Sequence, residues 1–172
     1  MKLYILRHAI AEEREESLYP DDSLRHLTEK GKKKMAKIAK HLRDMGVQID
    51  LILTSPYIRA YETARIVAKT FGIKKRKIVL TDHLTPSGFA KDLIAEINEK
   101  YLVDNLILVG HEPFLSDLIA VLVAGDPSMS VVMKKGGLCR LSIDNLVYDK
   151  CATLDWLLMP GQVTRMGKLK SG

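Results

Sequence analysis

The sequence predicts an α/β fold, a three-layer αβα sandwich in which a mostly parallel central sheet ends in an antiparallel edge hairpin. Short apolar runs alternate with amphipathic stretches through most of the chain, the pattern of a parallel sheet covered by helices on both faces. Helix-start residues punctuate the amphipathic stretches. The last two apolar runs are joined by "DNLVYDK" alone, which suits an antiparallel return and is too short for a crossover helix.

Taken in order, strands are expected at "KLYIL" from Lys2, "LIL" from Leu51, "KIVL" from Lys77, "NLILV" from Asn105, "LCRLSI" from Leu138 and "ATLDWLL" from Ala152. Helices are expected to begin near Thr28, Pro56, Ser87 and Pro113. Thr28 is a good N-cap for a run in which Met35, Ile38, Ala39 and Leu42 recur at helical spacing, with Lys33, Lys37 and Lys40 on the other faces. Those lysines read as a solvated face rather than a docking surface. Ser55 followed by Pro56 is an N-cap with proline at the first helical position, and Glu112 with Pro113 repeats the proline signal. No repeat or linker divides the chain, so a single domain over residues 1–172 is expected, with "RMGKLKSG" at 165–172 as a loose basic tail.

Composition narrows the function classes. At 172 residues the chain can bury a core without disulfide or metal staples. No apolar run approaches the length of a membrane span, and the apolar start is too short for a secretory signal, so a cytoplasmic protein with no membrane partner is expected. Cys139 and Cys151 have neither metal-ligand spacing nor disulfide density and are read as ordinary reduced residues. The net charge of +6 favours phosphate-bearing or acidic partners without naming one.

In open α/β sheets ligands bind beyond the carboxyl ends of the strands. The first strand runs into Arg7 and His8, the second delivers Arg59 within the first turn of its helix, and "LILVGHEP" delivers His111. Long helical side chains lean toward their helix N-terminus, which turns Arg59 back toward the strand end. Two guanidiniums, two imidazoles and helix N-termini with no carboxylate cluster make a cage for a phosphoryl group. A neutral imidazole can attack phosphorus to form a covalent phosphohistidine, while the arginines offset charge on the transferring group. Nothing in this set calls for a metal or another cofactor.

The ordered motifs "LRHA", "LTSPYIRAYETA" and "LVGHEP" resemble the histidine phosphatase superfamily, which includes the cofactor-dependent phosphoglycerate mutases. "RHLTEKG", "LTPSG", "KKGGLCRL" and "WLLMP" look like landmarks of its small SixA-type branch of phosphohistidine phosphatases, so the resemblance spans nearly the whole chain and implies a phosphoglycerate mutase-like fold. It implies that His8 is the phosphorylated nucleophile, Arg7 and Arg59 grip phosphate, and His111 stabilises the transferring group. Ala9 stands where the family usually has glycine, a change expected to matter little. Larger members carry a glutamate acid after the third strand; here "TDHLTPSG" offers Asp82 and His83 as proton donors instead. Phosphohistidine, with its labile P–N bond, needs a weaker acid than an alkyl ester does. The connection after the third strand is also short, which predicts an open pocket without a lid.

The leading expectation is therefore a metal-independent phosphatase acting on phosphohistidine on a protein, such as a histidine phosphotransfer domain in a phosphorelay. A phosphomonoesterase of the same superfamily acting on a small phosphorylated metabolite comes second. A non-catalytic basic module for phosphate or nucleic acid comes third, because no nucleic-acid fold signature or stacking aromatics accompany the charge. Around the site, Glu62 is expected to orient Arg59 through an ion pair. Arg25 either contacts phosphate or pairs with Asp21 or Asp22. His26 and His41 read as surface or helix-flank residues and Trp156 as packing.

Overall fold

A computed structural model describes residues 1–15 and 17–169 of the chain. Its described residues form one six-stranded sheet: β1 (Lys2–Arg7), β2 (Leu51–Thr54), β3 (Ile78–Leu80), β4 (Asn105–Gly110), β5 (Leu138–Ile143) and β6 (Ala152–Leu158). The spatial order is β3-β2-β4-β1-β5-β6. β1, β2, β3 and β4 run parallel, whereas β5 pairs antiparallel with both β1 and β6. The expected α/β class, the mostly parallel sheet and the antiparallel edge hairpin are all present.

Alternation along the central strands divides the core in two. Leu3 and Ile5 of β1 with Leu106 and Leu108 of β4 face α3 (Ala90–Lys100) and α4 (Phe114–Ala124). Tyr4 and Leu6 with Ile107 and Val109 face α1 (Glu29–Asp44), α2 (Ile58–Phe71) and α5 (Pro160–Leu169). A two-residue side-chain period on strands buried on both faces gives the helix–sheet–helix layering. Met35, Ile38, Ala39 and Leu42 form the buried stripe of α1, and Lys33, Lys37 and Lys40 are exposed, as their spacing predicts. Trp156 packs by Tyr4 with ring centroids 6.2 Å apart. Cys139 and Cys151 are both free; burial pushes the Cys139 thiol up to about 12 and makes it inert.

Helix starts hold at α1 and shift elsewhere. The Thr28 hydroxyl accepts the Gly31 N–H at 2.9 Å, the expected cap. Gly31 also has to be glycine, since a Cβ there would lie 2.1 Å from the Ile10 carbonyl oxygen. α2 begins two residues beyond Pro56 because the Ser55 hydroxyl serves a local turn and the site described below. α3 begins at Ala90 rather than near Ser87: Gly88 sits against the His83 carbonyl in a turn that must finish first. Pro113 is the N-cap of α4 and Phe114 its first residue.

The basic C-terminus departs from expectation. Arg165–Leu169 continue α5 instead of forming a loose tail, and 170–172 lie outside the described residues. The helix starts with Gln162 Oε1 accepting the Met159 N–H at 2.7 Å, one half of a capping box, and Val163 is fully buried on the α1 side of the core. Burying one valine contributes roughly 1.5–3 kcal/mol, enough to hold a short helix that propensity alone would not.

Candidate active site

Parallel pairing aligns the carboxyl ends of β1, β2 and β4, and the four side chains expected there meet. His8 follows β1 and donates its backbone N–H to Gly110 O at 3.0 Å, at the end of β4. The Gly136 N–H in turn reaches the carbonyls of Arg7 and His8, each at 3.1 Å. Ser55, just beyond β2, donates its backbone N–H to Val109 O at 3.0 Å. The first turn of α2 is tied to the turn after His8 through Thr63, whose hydroxyl donates to Arg59 O at 2.7 Å and accepts the Ala9 N–H at 3.0 Å. Ala9 fits this turn without strain, since no described non-glycine residue has positive φ.

His8 and His111 lie with ring centroids 4.9 Å apart and are 5% and 2% exposed. The Nδ1–H of His8 donates to Ala9 O at 2.7 Å, which leaves Nε2 with a bare lone pair. Burial pushes the ring down to about 3 against the pull of that carbonyl, with Arg59, Arg7 and Lys135 adding to the fall. His8 is thus a neutral imidazole throughout the physiological range. His111 is pushed down to about 2, by burial first and then by His8 and Arg59. Its Nε2 lies 2.9 Å from Ser55 Oγ, which itself accepts the Tyr57 N–H at 3.2 Å. A Ser55 O–H donated to Nε2 would place the remaining ring proton of His111 on Nδ1.

Arg59 is 3% exposed, with its guanidinium 5.0 Å from the Tyr57 ring centroid. It donates to Asp22 twice, to the backbone carbonyl at 2.6 Å and to Oδ2 at 2.8 Å. The pairing expected with Glu62 is absent. Glu62 instead accepts the Leu27 N–H at 2.8 Å and lies 2.9 Å from His26 Nδ1, because Arg59 leans toward its helix N-terminus and away from position 62. Arg25 takes the second of its two expected roles: its Nε pairs with Asp22 Oδ1 at 2.8 Å, and Nη1 donates to Glu12 O at 2.7 Å. Arg7 donates to Met133 O at 2.6 Å.

What these groups leave unused defines the chemistry. Arg7 Nε and Arg59 Nε are buried donors without an acceptor, and His111 Nδ1 is a buried ring nitrogen without a partner. Buried N–H groups are nearly always paired, and an unpaired one costs about 1–3 kcal/mol. Two such donors and an unpartnered ring nitrogen, beside the bare imidazole nitrogen of His8, suit a tetrahedral oxyanion. Among the described residues no group of three or more His, Cys, Asp or Glu is placed to hold a metal ion.

Asp82 and His83 lie in a 3₁₀ turn after β3 that packs against the end of β4, where Leu84 O is 3.0 Å from the position of a Cβ on Gly110. Asp82 is exposed and His83 half-buried, and neither bonds to the four central side chains. Sequence reasoning passed over a third acid. Glu112 is half-buried and held toward its protonated form by burial, with Arg7 and the Ser116 hydroxyl pulling the other way. Ser116 donates to Oε2, while Oε1 is buried without a partner. The "HEP" spacing was visible, but Glu112 read as a helix-start residue. Lys135 was missed as well; it lies close enough to Arg7, Arg25 and Arg59 for their charges to lower its pKa after desolvation. The segment that carries Asp22 lies against Arg59 and covers it.

A family model described as "Histidine phosphatase superfamily (branch 1)" matches residues 3–85. The phosphohistidine phosphatase SixA homolog of Haemophilus influenzae is 32% identical over 130 residues, covering 71% of this chain and 77% of that protein. The chain belongs to the histidine phosphatase superfamily. Phosphohistidine phosphatase SixA of Escherichia coli is 31% identical over 73% of this chain and 76% of its own. A solved structure of the protein histidine phosphatase SixA complexed with tungstate aligns with a TM-score of 0.75 and 26% identity, over 94% of this chain and 98% of that one. The alpha-ribazole phosphatase of Shigella flexneri shares the fold alone, with a TM-score of 0.71 at 21% identity over 93% and 97%. Within the superfamily the chain falls in the SixA-type branch with its phosphoglycerate mutase-like fold and is a hydrolase, which removes the non-catalytic binding module from consideration.

Proposed function

We propose that this histidine phosphatase hydrolyses phosphohistidine on a protein, through a covalent phosphohistidine at His8 and without a metal. The observation that carries the reading is the bare Nε2 of His8, fixed by its Nδ1–H to Ala9 O, beside buried unpaired nitrogens on Arg7, Arg59 and His111. Nε2 attacks phosphorus; the new P–N bond forms as the bond to the leaving imidazole breaks, and that imidazole takes up a proton. Water then attacks the phosphohistidine, the P–N bond to His8 breaks, and phosphate leaves. Arg7, Arg59 and the Nδ1–H of His111 offset the charge on the equatorial oxygens in both steps.

The proton for the leaving group is assigned to Glu112, ahead of Asp82 and His83, because burial keeps it toward its protonated form beside Arg7. The SixA relative solved with tungstate takes up a tetrahedral oxyanion of the same shape as phosphate, which supports oxyanion binding by a protein of this fold. Placement in the SixA-type branch, whose relatives are phosphohistidine phosphatases, favours a phosphoprotein, such as a histidine phosphotransfer domain of a phosphorelay, over a small ester.

The experiment that tests the reading compares kcat/KM for a histidine-phosphorylated protein with a panel of phosphate monoesters, each with chelator present. Preference for the phosphoprotein by at least tenfold, unchanged by chelator, is the expected result. A single small ester favoured by orders of magnitude assigns the metabolite reading instead, and loss of all turnover on chelation rejects metal independence.

A further inference from the structure

Away from the four catalytic groups, a groove of about 450 Å³ opens between α2, the first turn of α1 and the start of β3. Its rim is cationic, with Lys32, Arg65, Lys69 and Lys75, and its floor includes Ile66, Ile73 and Ile78. The single carboxylate lining it, Glu62, is already engaged by the Leu27 N–H and His26. Lys32 pairs with Glu29 at 2.9 Å, but among the described residues Arg65, Lys69 and Lys75 make no ion pair. Arg65 and Lys69 are exposed and stand four apart on α2, a spacing at which like charges repel. Lys74, Arg76 and Lys77, also exposed, extend the positive field past the end of the groove.

Cations beside β3 have an ordinary explanation, since lysines protect an edge strand from pairing with another chain. That explanation covers Lys75 and Lys77 and leaves Arg65 and Lys69, which are on a helix. No aromatic side chain lines the groove, which disfavours a stacked nucleic-acid strand. A cationic rim over aliphatic residues is instead complementary to a protein surface where carboxylates flank one or two apolar side chains.

The groove is joined to the catalytic pocket by covalent and hydrogen-bonded neighbours. At its upper end Glu62 holds Leu27 and His26, which follow Arg25; Arg25 shares Asp22 with Arg59. Arg59, Glu62, Ile66 and Lys69 are spaced by three, four and three residues, so one stripe of α2 runs from the phosphate-gripping arginine along the groove. Ten residues of helix span about 15 Å. We propose that this groove docks an acidic, partly apolar surface of the phosphoprotein substrate, whose phosphohistidine enters at Arg59 about 15 Å from the carboxylates that meet Lys69. The inference rests on the phosphoprotein reading above.

The test uses the full chain and the variant Arg65→Glu, Lys69→Glu, Lys75→Glu, whose substitutions lie outside the catalytic machinery. Three substrates are compared at low and moderate salt: an acidic histidine phosphotransfer domain phosphorylated on histidine, free phosphohistidine and 4-nitrophenyl phosphate. The variant is expected to lose at least tenfold in kcat/KM on the phosphodomain and most of its salt dependence, with the two small substrates unchanged within twofold. An equal effect on all three substrates, or none on the phosphodomain, overturns the docking surface and leaves the cations as guards of the sheet edge. Should the wild type hydrolyse 4-nitrophenyl phosphate but neither phosphohistidine substrate, the functional reading fails separately. The groove is then judged by amide chemical shifts on adding the unphosphorylated domain: changes over 65–69 and 73–78 uphold it and their absence rejects it. Tighter binding of a single-stranded oligonucleotide at the same amides also rejects the assignment to protein.

Discussion

Asp22 takes hold of Arg59 at two points, through its own backbone carbonyl at 2.6 Å and its carboxylate at 2.8 Å, while the same carboxylate accepts Arg25 Nε at 2.8 Å. One residue of the segment after β1 thus sets the plane of the guanidinium, through main chain and side chain together, and leaves its buried Nε–H unpaired. Replacing Asp22 by alanine should lower kcat/KM about 10-fold and weaken inhibition by inorganic phosphate in parallel, as the charge-assisted carboxylate contact is lost while the backbone one stays. Steady-state kinetics with phosphate as inhibitor measure it. A faster variant would mean that Asp22 competes with phosphate for Arg59.

His8 has Nδ1 engaged by the Ala9 carbonyl and Nε2 left without a hydrogen bond. His8→Ala should reduce turnover by about a thousandfold or more and abolish a phosphoenzyme trapped by rapid quench and detected by intact mass. His111→Ala should slow turnover by about 100–1000-fold yet still allow the phosphoenzyme to accumulate, since only a charge-stabilising donor is lost. A trapped phosphoryl group on another residue in wild type would move the nucleophile elsewhere.

Because His8 and His111 are driven down to about 3 and about 2, kcat/KM should show no histidine ionisation near 6.5 on its acid limb. The same shifts fix how stability responds to pH. Both rings stay neutral in the fold but gain protons in the unfolded chain below about 6.5, so their contribution is complete above that pH. It is lost as pH falls from about 6.5 toward the folded values. Urea midpoints between pH 7 and pH 4 should decline in wild type and decline less in His111→Gln; equal slopes would show that the ring is not desolvated.

The acid assignment separates by leaving group. Glu112→Gln should reduce hydrolysis of alkyl phosphates by about 100-fold while sparing 4-nitrophenyl phosphate, whose phenolate leaves without a proton. Asp82→Asn should act on neither class by more than about twofold, the scale of a surface change. A uniform fall for Glu112→Gln across leaving groups would make it a positioning residue for Arg7.

Strand ends were the most legible part of the chain. Arg7, His8 and His111 each abut a strand, and parallel pairing alone brings such positions to one edge of a sheet, so their meeting follows from topology. Arg59 was reachable through helix geometry. What stayed hidden depended on segments without periodicity. No spacing rule indicates that Asp22, far from Arg59 in sequence, arrives to bind it in place of Glu62, which is three residues away. Ser55 and Glu112 were visible but misread, because a serine before proline and a glutamate before proline are also ordinary helix-start signals. The basic end was misjudged because the burial of Val163 outweighs a composition that suggests a tail.

His8 is held almost wholly by main-chain atoms: its N–H by the Gly110 carbonyl, its own carbonyl by the Gly136 N–H, and its ring by the Ala9 carbonyl. Such an anchorage uses few of the nearby side chains, Thr63 being one that braces the turn after His8. Side chains on the rim can therefore be exchanged while the His8 ring keeps its place.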